Sequence, residues 1–512
     1  MFEIIICQIK SNNYIMKKLL LLPLFAISIV ATAQTTAIPD ANFEQALITL
    51  GYDNVIDGVV LTANISGIIS LDVNSDSIID LTGIEDFTAL ERLDCRNNQL
   101  ISIDLTQNTA LEYLWCQSNQ LTNLDVSQNT SLDTLLCGYN QLTNLDVSQN
   151  TSLTSLYCST NQLTSIDVTQ NTALEYLGCG HNQLTSLGVS QNTTLTDLDC
   201  GGNLLTSIDL TQNTALTDLN CYDNQLTSLD VSQNTALEYL DCRSNQLTSL
   251  DVSQNSALIS LYCGVNQLTN IDIAGANALT YFNCYGNTIT SLDVTLATAL
   301  IYLNCGVNQL ASLDVSQNTA LTYLYCYDNQ LTSMDLSQNT ALFELVCDNN
   351  QLTSADVSQN TALTYLNCNN NDLTCLIIAN GNNSNFIYFS ATINPNLTCI
   401  EVDDVAWSSA NWTSIDSQTS FSTDCNNPCL PSSINVKTLN TFELYPNPTA
   451  STITLNNLLI GDEVSVYNTL GQRVYSSKVT AVTLSINLSE LGNNGIYFVS
   501  VNDISERVLL SN

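Results

Sequence analysis

The chain has 512 residues, 48 acidic and 10 basic side chains and a formal net charge of −38, yet only 11% of its residues are charged and 45% are hydrophobic. This composition excludes an acidic disordered chain, which would carry more charge and fewer apolar residues. It also excludes a nucleic-acid-binding protein, because such a protein needs a basic surface and Arg243 is the only Lys or Arg between Asn97 and Asn435.

The N-terminal segment has the pattern of a targeting signal. A basic pair, a short apolar run and an Ala-x-Ala site follow one another in residues 17–33. This order is typical of a secretory signal peptide, and the run is too short for a membrane-spanning helix. We therefore predict that residues 1–33 are a leader and signal peptide, with Met16 as the start and cleavage after Ala33. We expect no membrane span in the remaining chain.

Residues 34–89 form the predicted N-terminal cap of a repeat region. Residues 38–47 have the composition of a short helix, and Asp40 stands at its N-cap position. Degenerate copies of the repeat surround Leu71 and Leu81.

The centre of the chain repeats every 21 residues. An Asn follows each repeating Cys by three positions, from Asn98 to Asn371. The fourteen Cys of the series are Cys95, Cys116, Cys137, Cys158, Cys179, Cys200, Cys221, Cys242, Cys263, Cys284, Cys305, Cys326, Cys347 and Cys368. Leu or another apolar residue precedes each Cys by two and by five positions, as in Leu111-x-x-Leu114-x-Cys116-x-x-Asn119.

This unit resembles the leucine-rich repeat, and its two similar halves of about ten residues resemble the nested 21-residue bacterial class. The resemblance implies a mainly β fold in which each coil buries its Leu, Cys and Val residues against neighbouring coils. We therefore predict a leucine-rich-repeat solenoid of about fourteen coils over residues 90–374, with N- and C-terminal caps and a small β-sandwich domain after it.

The Cys and Asn of each coil have predicted structural roles. The Cys position alternates inward with Leu, and a free Cys behaves as a small buried hydrophobic residue. No clustered Cys spacing typical of a metal site occurs, so we expect reduced, unreactive core thiols. A buried Asn at a turn can bond to backbone groups that a tight coil leaves unpaired.

One Asp per coil is predicted to point outward. Neighbouring carboxylates are expected to repel one another and to raise each other's pKa. Two interpretations remain: a solvated acidic face, or weak and diffuse Ca²⁺ binding. Apart from that possible Ca²⁺, we predict no cofactor and no metal site. The column consists of Asp104, Asp125, Asp146, Asp167, Asp209, Asp230, Asp251, Asp272, Asp293, Asp314, Asp335 and Asp356, with Gly188 as its one gap.

Aromatic residues are concentrated at outward positions that differ from coil to coil. Tyr and Trp provide rigid, amphipathic contact area, so we predict a ligand-binding face for proteins or glycans on the concave side. The alternative is that Tyr merely suits a β surface. The predicted residues are Tyr113, Trp115, Tyr157, Tyr176, Tyr222, Tyr239, Tyr262, Tyr281, Tyr285, Tyr302, Tyr323, Tyr325, Tyr327 and Tyr365.

The sequence does not favour an enzyme. His181 is the only His, and it occupies a variable outward position, so no Ser–His or Cys–His pair is available elsewhere. We predict a secreted binding protein that acts in adhesion. The main alternative is a passive acidic spacer or surface-coat protein. A further alternative is an ice- or crystal-binding lattice formed by the outward Thr122, Thr143, Thr164, Thr185 and Thr206.

The regular period ends after residue 374. We predict a C-terminal cap at 375–430 and a linker at 431–437. Cys375 and Cys399 occupy matching places in successive coils, and an exported protein keeps its disulfides. We therefore expect the pairs Cys375–Cys399 and Cys425–Cys429.

Residues 438–512 differ from the repeats, because short alternating runs separated by Gly, Asn and Asp predict an antiparallel β-sandwich. Three motifs, starting at Phe442, Val466 and Leu488, resemble the type A C-terminal sorting domain of type IX secretion in Bacteroidetes. The resemblance implies that the type IX secretion machinery is a partner and that the protein reaches the cell surface or the extracellular medium. The alternative is an ordinary β-module that serves as a partner domain.

Overall fold

The computed structural model describes residues 33–425 and most of residues 443–510. The undescribed positions within the second range are 448, 450, 457, 459–461, 469–471, 491–494 and 502–503. The described chain forms two compact units that divide between Asn213 and Thr214. The predicted signal peptide, apart from Ala33, and the predicted linker lie outside the described residues.

The first unit begins with a small cap. Its elements are β1 (Thr35–Ala37), α1 (Ala41–Thr49), β2 (Val59–Leu61) and α2 (Thr62–Ile65). The predicted helix with Asp40 as its N-cap is confirmed, because the backbone N–H groups of Asn42 and Phe43 donate to Asp40 Oδ1 at 2.8 and 3.0 Å. The other oxygen of Asp40 accepts from Ile79 and Asp80, which attaches the helix to the first coils.

A buried carboxylate holds the loop before β2. Glu44, 1% exposed, accepts backbone N–H bonds through Oε1 from Asp57, Gly58 and Val59 at 2.9, 2.7 and 3.2 Å. Three charge-assisted bonds on one oxygen satisfy donors that the loop would otherwise bury.

The rest of the first unit is a stack of coils with a parallel sheet along one side. Leu114 lies opposite Leu93 and Leu135, in register, and all three are 0% exposed. The strands are β3 (Ser70–Asp72), β4 (Arg92–Asp94), β5 (Tyr113–Trp115), β6 (Thr134–Leu136), β7 (Ser155–Tyr157), β8 (Tyr176–Gly178) and β9 (Asp197–Asp199), with a 3-10 turn at Ile84–Asp86.

The second unit continues with the same kind of coil. Its strands are β10 (Asp218–Asn220), β11 (Tyr239–Asp241), β12 (Ser260–Tyr262), β13 (Tyr281–Asn283), β14 (Tyr302–Asn304), β15 (Tyr323–Tyr325), β16 (Glu344–Val346), β17 (Ser354–Asp356), β18 (Tyr365–Asn367), β19 (Cys375–Ile377), β20 (Tyr388–Ser390), β21 (Cys399–Glu401) and β22 (Ser420–Ser422). Strands β17, β19, β21 and β22 form a separate four-stranded parallel sheet. The other strands of this unit pair with one another in parallel, and in each unit we call the sheet that contains the strand before the repeating Cys the main sheet. A 3-10 turn (Asn383–Asn385) and α3 (Val405–Asn411) lie between the last coils.

The predicted disulfide pairs are wrong. Cys399 is bonded to Cys425, with a Cα–Cα distance of 5.9 Å. Cys375 is also disulfide-bonded, and Cys429 lies outside the described residues. The physical reason is that Cys375 and Cys399 begin adjacent parallel strands, a geometry that suits a disulfide poorly. After β22, instead, a turn at Ser422 and Asp424 brings Cys425 back to Cys399.

The C-terminal domain consists of two antiparallel sheets. Its strands are β23 (Glu443–Tyr445), β24 (Thr452–Asn456), β25 (Glu463–Asn468), β26 (Arg473–Lys478), β27 (Leu484–Asn487), β28 (Gly495–Val501) and β29 (Ile504–Leu510). The sheet orders are β23-β24-β27 and β26-β25-β28-β29. Ile453 and Ile486 from one sheet share a buried core with Val464 and Val499 from the other, which confirms the predicted small β-sandwich.

Candidate ligand-binding face

Each three-residue strand places its side chains in fixed rows. In β5, Leu114 is buried, whereas the residues on either side of it are half-buried at the sheet surface. The following Cys turns inward again. We number the outward rows from the Cys of each coil as −4, −3, −1, +1 and +2, which in the coil of Cys116 are Glu112, Tyr113, Trp115, Gln117 and Ser118.

The predicted Asn column is confirmed as a structural ladder. Asn119 Nδ2 donates to the carbonyls of Cys116 and Cys95 at 3.1 and 3.0 Å, and its Oδ1 accepts from the N–H of Leu100 at 3.0 Å. One side chain therefore binds two coils together, just after the outward rows. A second Asn column, which includes the fully buried Asn129 and Asn150, joins carbonyls of the preceding coils on the other side of the core.

The fourteen repeating Cys are free and buried, as predicted. Burial raises the pKa of Cys158 and of Cys200 to about 12. A thiol that stays protonated at neutral pH is a poor nucleophile, so the structure supports packing as the role of this column.

Neighbouring carboxylates raise the pKa of Asp125, as predicted, but they do not decide the direction of its net shift. The Asp residues point outward as predicted, but the pKa of Asp125 is lowered by the backbone N–H and hydroxyl of Ser127, and these bonds outweigh repulsion from Asp104 and Asp146. In the same way, Thr169 N–H and hydroxyl donate to Asp167 at 2.9 and 2.7 Å. Each Asp therefore caps the turn of its own coil.

All fourteen predicted aromatic side chains lie half-buried on the main-sheet side. In the first unit, Tyr113 and Trp115 are neighbours at 6.1 Å, and the Arg92 guanidinium lies 4.9 Å above the Tyr113 ring. Row −3 contains Tyr113, Tyr176, Tyr239, Tyr281, Tyr302, Tyr323 and Tyr365; row −1 contains Trp115, Tyr157, Tyr262 and Tyr325; row +1 contains Tyr222, Tyr285 and Tyr327.

Two glycines shape the aromatic surface around Tyr157. A Cβ atom on Gly138 would stand 2.3 Å from one edge of this ring, and a Cβ atom on Gly178 would stand 2.7 Å from the other. The ring therefore lies flat across the sheet, where burial raises its pKa to about 12. Its neighbour Tyr139, at 6.4 Å, was missed by the sequence analysis although it occupies row +2.

The second unit carries a continuous run of aromatic contacts. Tyr262 lies 5.5 Å from Tyr239 and 4.8 Å from Tyr281, and Tyr281 stacks on Tyr302 at 4.0 Å with an interplanar angle of 5°. Tyr302 contacts Tyr325 at 5.3 Å. Adjacent coils thus bring together residues from two rows into one surface.

Two aromatic residues of this surface were not among those predicted from the sequence. Phe343, in row −4, contacts Tyr323 edge to face at 6.2 Å. Tyr388 stacks on Tyr365 at 4.4 Å, but it follows Tyr365 by 23 residues instead of 21. A search of row −4 for apolar residues would have found Phe343, while Tyr388 required the pairing of β18 with β20.

An ion pair lies at the start of the longest Tyr run. Asp241, 2% exposed, accepts bonds from Arg243 Nε at 2.9 Å and Nη2 at 2.6 Å. The same guanidinium lies 5.0 Å above the Tyr262 ring. Burial raises the pKa of Tyr239 and Tyr327 to about 12 and that of Tyr281 and Tyr325 further, so these hydroxyls remain hydrogen-bond donors.

Other predicted positions do not assemble into a reactive site. His181 is exposed and its ring lies over Gly202, where a Cβ atom would stand 2.6 Å from Nδ1. Within the described residues, no three His, Cys, Asp or Glu side chains are arranged to hold a metal ion. The outward Thr column, represented by Thr122 and Thr143, is exposed away from the Tyr rows.

Comparisons with known proteins agree with this geometry. The family model of the secretion system C-terminal sorting domain matches residues 443–509, and that of leucine-rich repeats in two copies matches residues 88–129. No curated protein matches the chain. The sorting domain indicates export across the outer membrane by type IX secretion, and every helix in the described part of the chain is too short or too polar to cross a bilayer.

Three solved structures are similar. The functional domain of InlJ from Listeria monocytogenes, which includes a cysteine ladder, is 30% identical over 93% of this chain and 98% of that chain, with a TM-score of 0.61. A leucine-rich-repeat protein from Leptospira interrogans is 25% identical over 66% and 94%, with a TM-score of 0.54. A TDR receptor, 17% identical over 67% and 73% with a TM-score of 0.55, shares the fold alone. With its repeating Leu, Cys and Asn and this identity over nearly all of its length, the chain belongs to the leucine-rich-repeat family.

Proposed function

We propose that this exported protein binds macromolecular ligands at the cell surface through its Tyr-rich main-sheet face and acts in adhesion. The observation that carries the proposal is the run of contacts from Tyr239 through Tyr281 and Tyr302 to Tyr325. Large amphipathic rings that are half-buried, held against one another and flanked by other aromatics are typical of binding hot spots.

The variability of the rows supports recognition over a passive spacer. Buried Leu, Cys and Asn recur from coil to coil, whereas rows −4 to +2 change between them. A spacer needs only the scaffold, and its outward rows gain nothing from a cluster of aromatic residues. Surface aromatic residues in contact over several coils are also rare without a partner, because they leave apolar area exposed to water.

The test is an array of glycans and extracellular proteins probed with the full chain. The triple variant Tyr281→Ala, Tyr302→Ala and Tyr323→Ala should lose at least about tenfold in binding to any ligand found. Thr122→Ala, Thr143→Ala and Thr164→Ala form the matched control, since these side chains are exposed away from the Tyr rows. Equal binding by both triple variants would instead favour the spacer.

A further inference from the structure

Four coils of the second unit contain a longer period than the 21-residue repeat. The segments 257–268 and 299–310 share the pattern Ala-Leu-Ile-x-Leu-x-Cys-Gly-Val-Asn-Gln-Leu, whereas the coils after them share Ala-Leu-Thr-Tyr and a Tyr directly after the Cys. Coils of two kinds therefore alternate, and the surface pattern repeats after 42 residues.

The alternation places two apolar ridges beside the Tyr run. On one side, in row −4, Ile259 and Ile301 are 42% and 45% exposed, and Thr280 lies between them. The backbone of this row is in register, because Thr280 N–H donates to the carbonyl of Ile259 at 2.9 Å and Ile301 N–H donates to that of Thr280 at 2.8 Å.

The other ridge, in row +2, has an unfavourable backbone. Val265 and Val307 adopt left-handed φ values of 53° and 51°, which β-branched residues avoid because of steric clash. Most other coils have Asn, Ser, Asp or Gly at this position. Val265 is 50% exposed and Val307 is half-buried, so neither belongs to the core, and backbone strain of this kind is concentrated at functional sites.

Between the ridges, the Tyr residues of row +1 follow the same two-coil period, whereas those of row −3, from Tyr281 to Tyr323, occur in consecutive coils. Tyr285 and Tyr327 lie 6.0 Å apart although a whole coil separates them, because Gly306 lets the Tyr327 ring lean across it: a Cβ atom there would stand 2.7 Å from the ring.

Charge is absent from this patch. In a chain of net charge −38, rows −4 to +2 contain no charged residue from Ile259 to Tyr327. On one side the patch is bordered by Glu238 and by the Arg243–Asp241 ion pair, whose guanidinium lies over the Tyr262 ring. On the other side it is bordered by Asp328 and Glu344, so acidic residues outnumber the single basic one at the borders. This arrangement fits a ligand with a neutral centre and basic ends.

The period identifies the kind of ligand. Two strand spacings are about 9.6 Å, and one turn of a polyproline II helix, three residues long, rises about 9.3 Å. Same-face residues of a strand are only about 6.7 Å apart, and a seven-residue repeat on an α-helix rises about 10.5 Å. Over the one two-coil step of each ridge, the polyproline II repeat therefore differs by about 0.3 Å, the helical repeat by about 0.9 Å and the strand repeat by about 2.9 Å.

We propose that the face built by residues 259–327 binds an extended, Pro-rich protein segment in the polyproline II conformation, with an apolar side chain at every third residue and basic flanks. This proposal rests on the proposed binding function and names its ligand class. Polyproline II backbones have no internal hydrogen bonds, and aromatic-lined surfaces recognise them. The Tyr hydroxyls of the patch donate to the ligand carbonyls, and the ridges fit between its apolar side chains.

The binding test measures the fluorescence anisotropy of labelled peptides with the full chain. The probe carries four Pro-Pro-Leu repeats between two Lys residues. A peptide of the same composition with its Leu residues grouped together should bind about tenfold more weakly. A helical peptide with Leu at every seventh position and a linear β-linked hexasaccharide serve as alternative ligands. Equal or tighter binding of either one, or no preference for the three-residue period, overturns the proposal.

Substitution of the strained residues separates binding from folding. The double variant Val265→Asn and Val307→Asn should bind the probe about fivefold more weakly. Its thermal midpoint of unfolding should rise, because Asn tolerates the left-handed conformation. Thr160→Asn in the first unit is the matched control, because Thr160 has a φ of 58° in the same row. It should raise the midpoint and leave probe binding unchanged. Unchanged binding by the double Val variant, or an equal loss in the control, overturns the proposal.

The two proposals fail in different ways. If the array ligands depend on Tyr281, Tyr302 and Tyr323 but the Pro-Pro-Leu probe does not bind, the binding function stands and the ligand class is wrong. If no ligand depends on these Tyr residues, both are wrong.

Discussion

The two units are built from the same coil but present different surfaces. In the first unit, row −4 contains the acids Glu91, Glu112, Asp133 and Glu175. In the second, after Thr217 and Glu238, the same row contains the exposed apolar residues Ile259, Ile301, Phe343 and Ile387, with Thr between them. The buried Leu and Cys hardly differ between the units. The comparison shows that a nested coil can exchange acidic for apolar residues along one row without altering its core, because that row points outward.

The units also differ in the bonds that hold the first coils of one and the last coils of the other. The first unit begins with a loop held by one buried carboxylate, Glu44, whereas the coils of the second end with the Cys399–Cys425 disulfide. Hydrogen bonds hold the cap of the first unit, and a covalent bond holds the last coils of the second.

Removal of the Glu44 carboxylate should have the largest effect. Glu44→Ala leaves three backbone N–H groups at residues 57–59 without their acceptor, and we expect a loss of about 4 kcal/mol in the stability of the cap. Hydrogen exchange should accelerate in α1 and β2 and stay unchanged in β21 and β22. Glu44→Gln keeps an acceptor oxygen, so the cap should lose less stability than in Glu44→Ala. Equal effects of the two substitutions would show that packing, not hydrogen bonding, holds the loop.

Removal of the Cys399–Cys425 disulfide should have a slightly smaller effect, confined to the last coils of the second unit. Cys399 and Cys425 are 26 residues apart, and closing a loop of this length stabilises a fold by about 3 kcal/mol. Cys425→Ser should therefore accelerate hydrogen exchange in β21 and β22. Thr423→Ala, an exposed position in the same turn, serves as a control that keeps both the disulfide and the Ser422–Asp424 bonds. Faster exchange in the β1–β2 cap of Cys425→Ser would contradict a local role.

A third difference concerns the second buried Asn column. It is filled in every coil from Asn108 to Asn213, but Ala276 and Ala297 replace Asn in the second unit. Asn150 Nδ2 donates to the carbonyls of Val126 and Asn129 at 3.0 and 2.8 Å. Asn150→Ala should cost about 2 kcal/mol, measured by Trp115 fluorescence during denaturant unfolding.

The reciprocal substitution tests whether an Asn at the same position stabilises the second unit. Ala297→Asn should raise the free energy of unfolding by about 1 kcal/mol. The model for the new bonds is Asn318, whose Nδ2 donates to the carbonyls of Val294 and Ala297 in the preceding coil at 2.9 and 2.8 Å. A loss instead of a gain would mean that the second unit has repacked around the small Ala side chains.

The sequence alone predicts the features that the repeat imposes. The spacing of Cys and Leu predicts their burial, and Asn after each Cys predicts the ladder, because every coil repeats the same environment. Features that depend on where the chain reverses were not predictable: Cys425 reaches Cys399 only through the turn after β22. The direction of the net pKa shift of Asp125 was not predictable either, because hydrogen bonds from Ser127, two residues away, outweigh the repulsion from carboxylates one coil away. Tyr388 was missed because its coil is two residues longer.

The smallest predicted effect concerns the one gap in the Asp column, which lies in the first unit. Gly188 does not adopt a left-handed φ, and a Cβ atom on it would meet no other atom within 4 Å, so an Asp side chain fits. By analogy with Asp167 and Thr169, the new carboxylate of Gly188→Asp should accept bonds from the N–H and hydroxyl of Ser190. The opposing effect is repulsion from Asp167 and Asp209, which solvent screens at this exposed surface.

The bonds should outweigh the repulsion, as they do at Asp125, and raise the thermal midpoint by roughly 1 °C at neutral pH. Because such bonds lower the folded-state pKa of Asp167 below the ordinary value of 3.8, the gain should be complete above that value and lost as the pH falls through the lower folded-state pKa. Gly188→Asn keeps the acceptor oxygen without the charge, so its gain should not depend on pH. If repulsion dominates instead, Gly188→Asp will be less stable than the parent at low ionic strength and will recover with added salt.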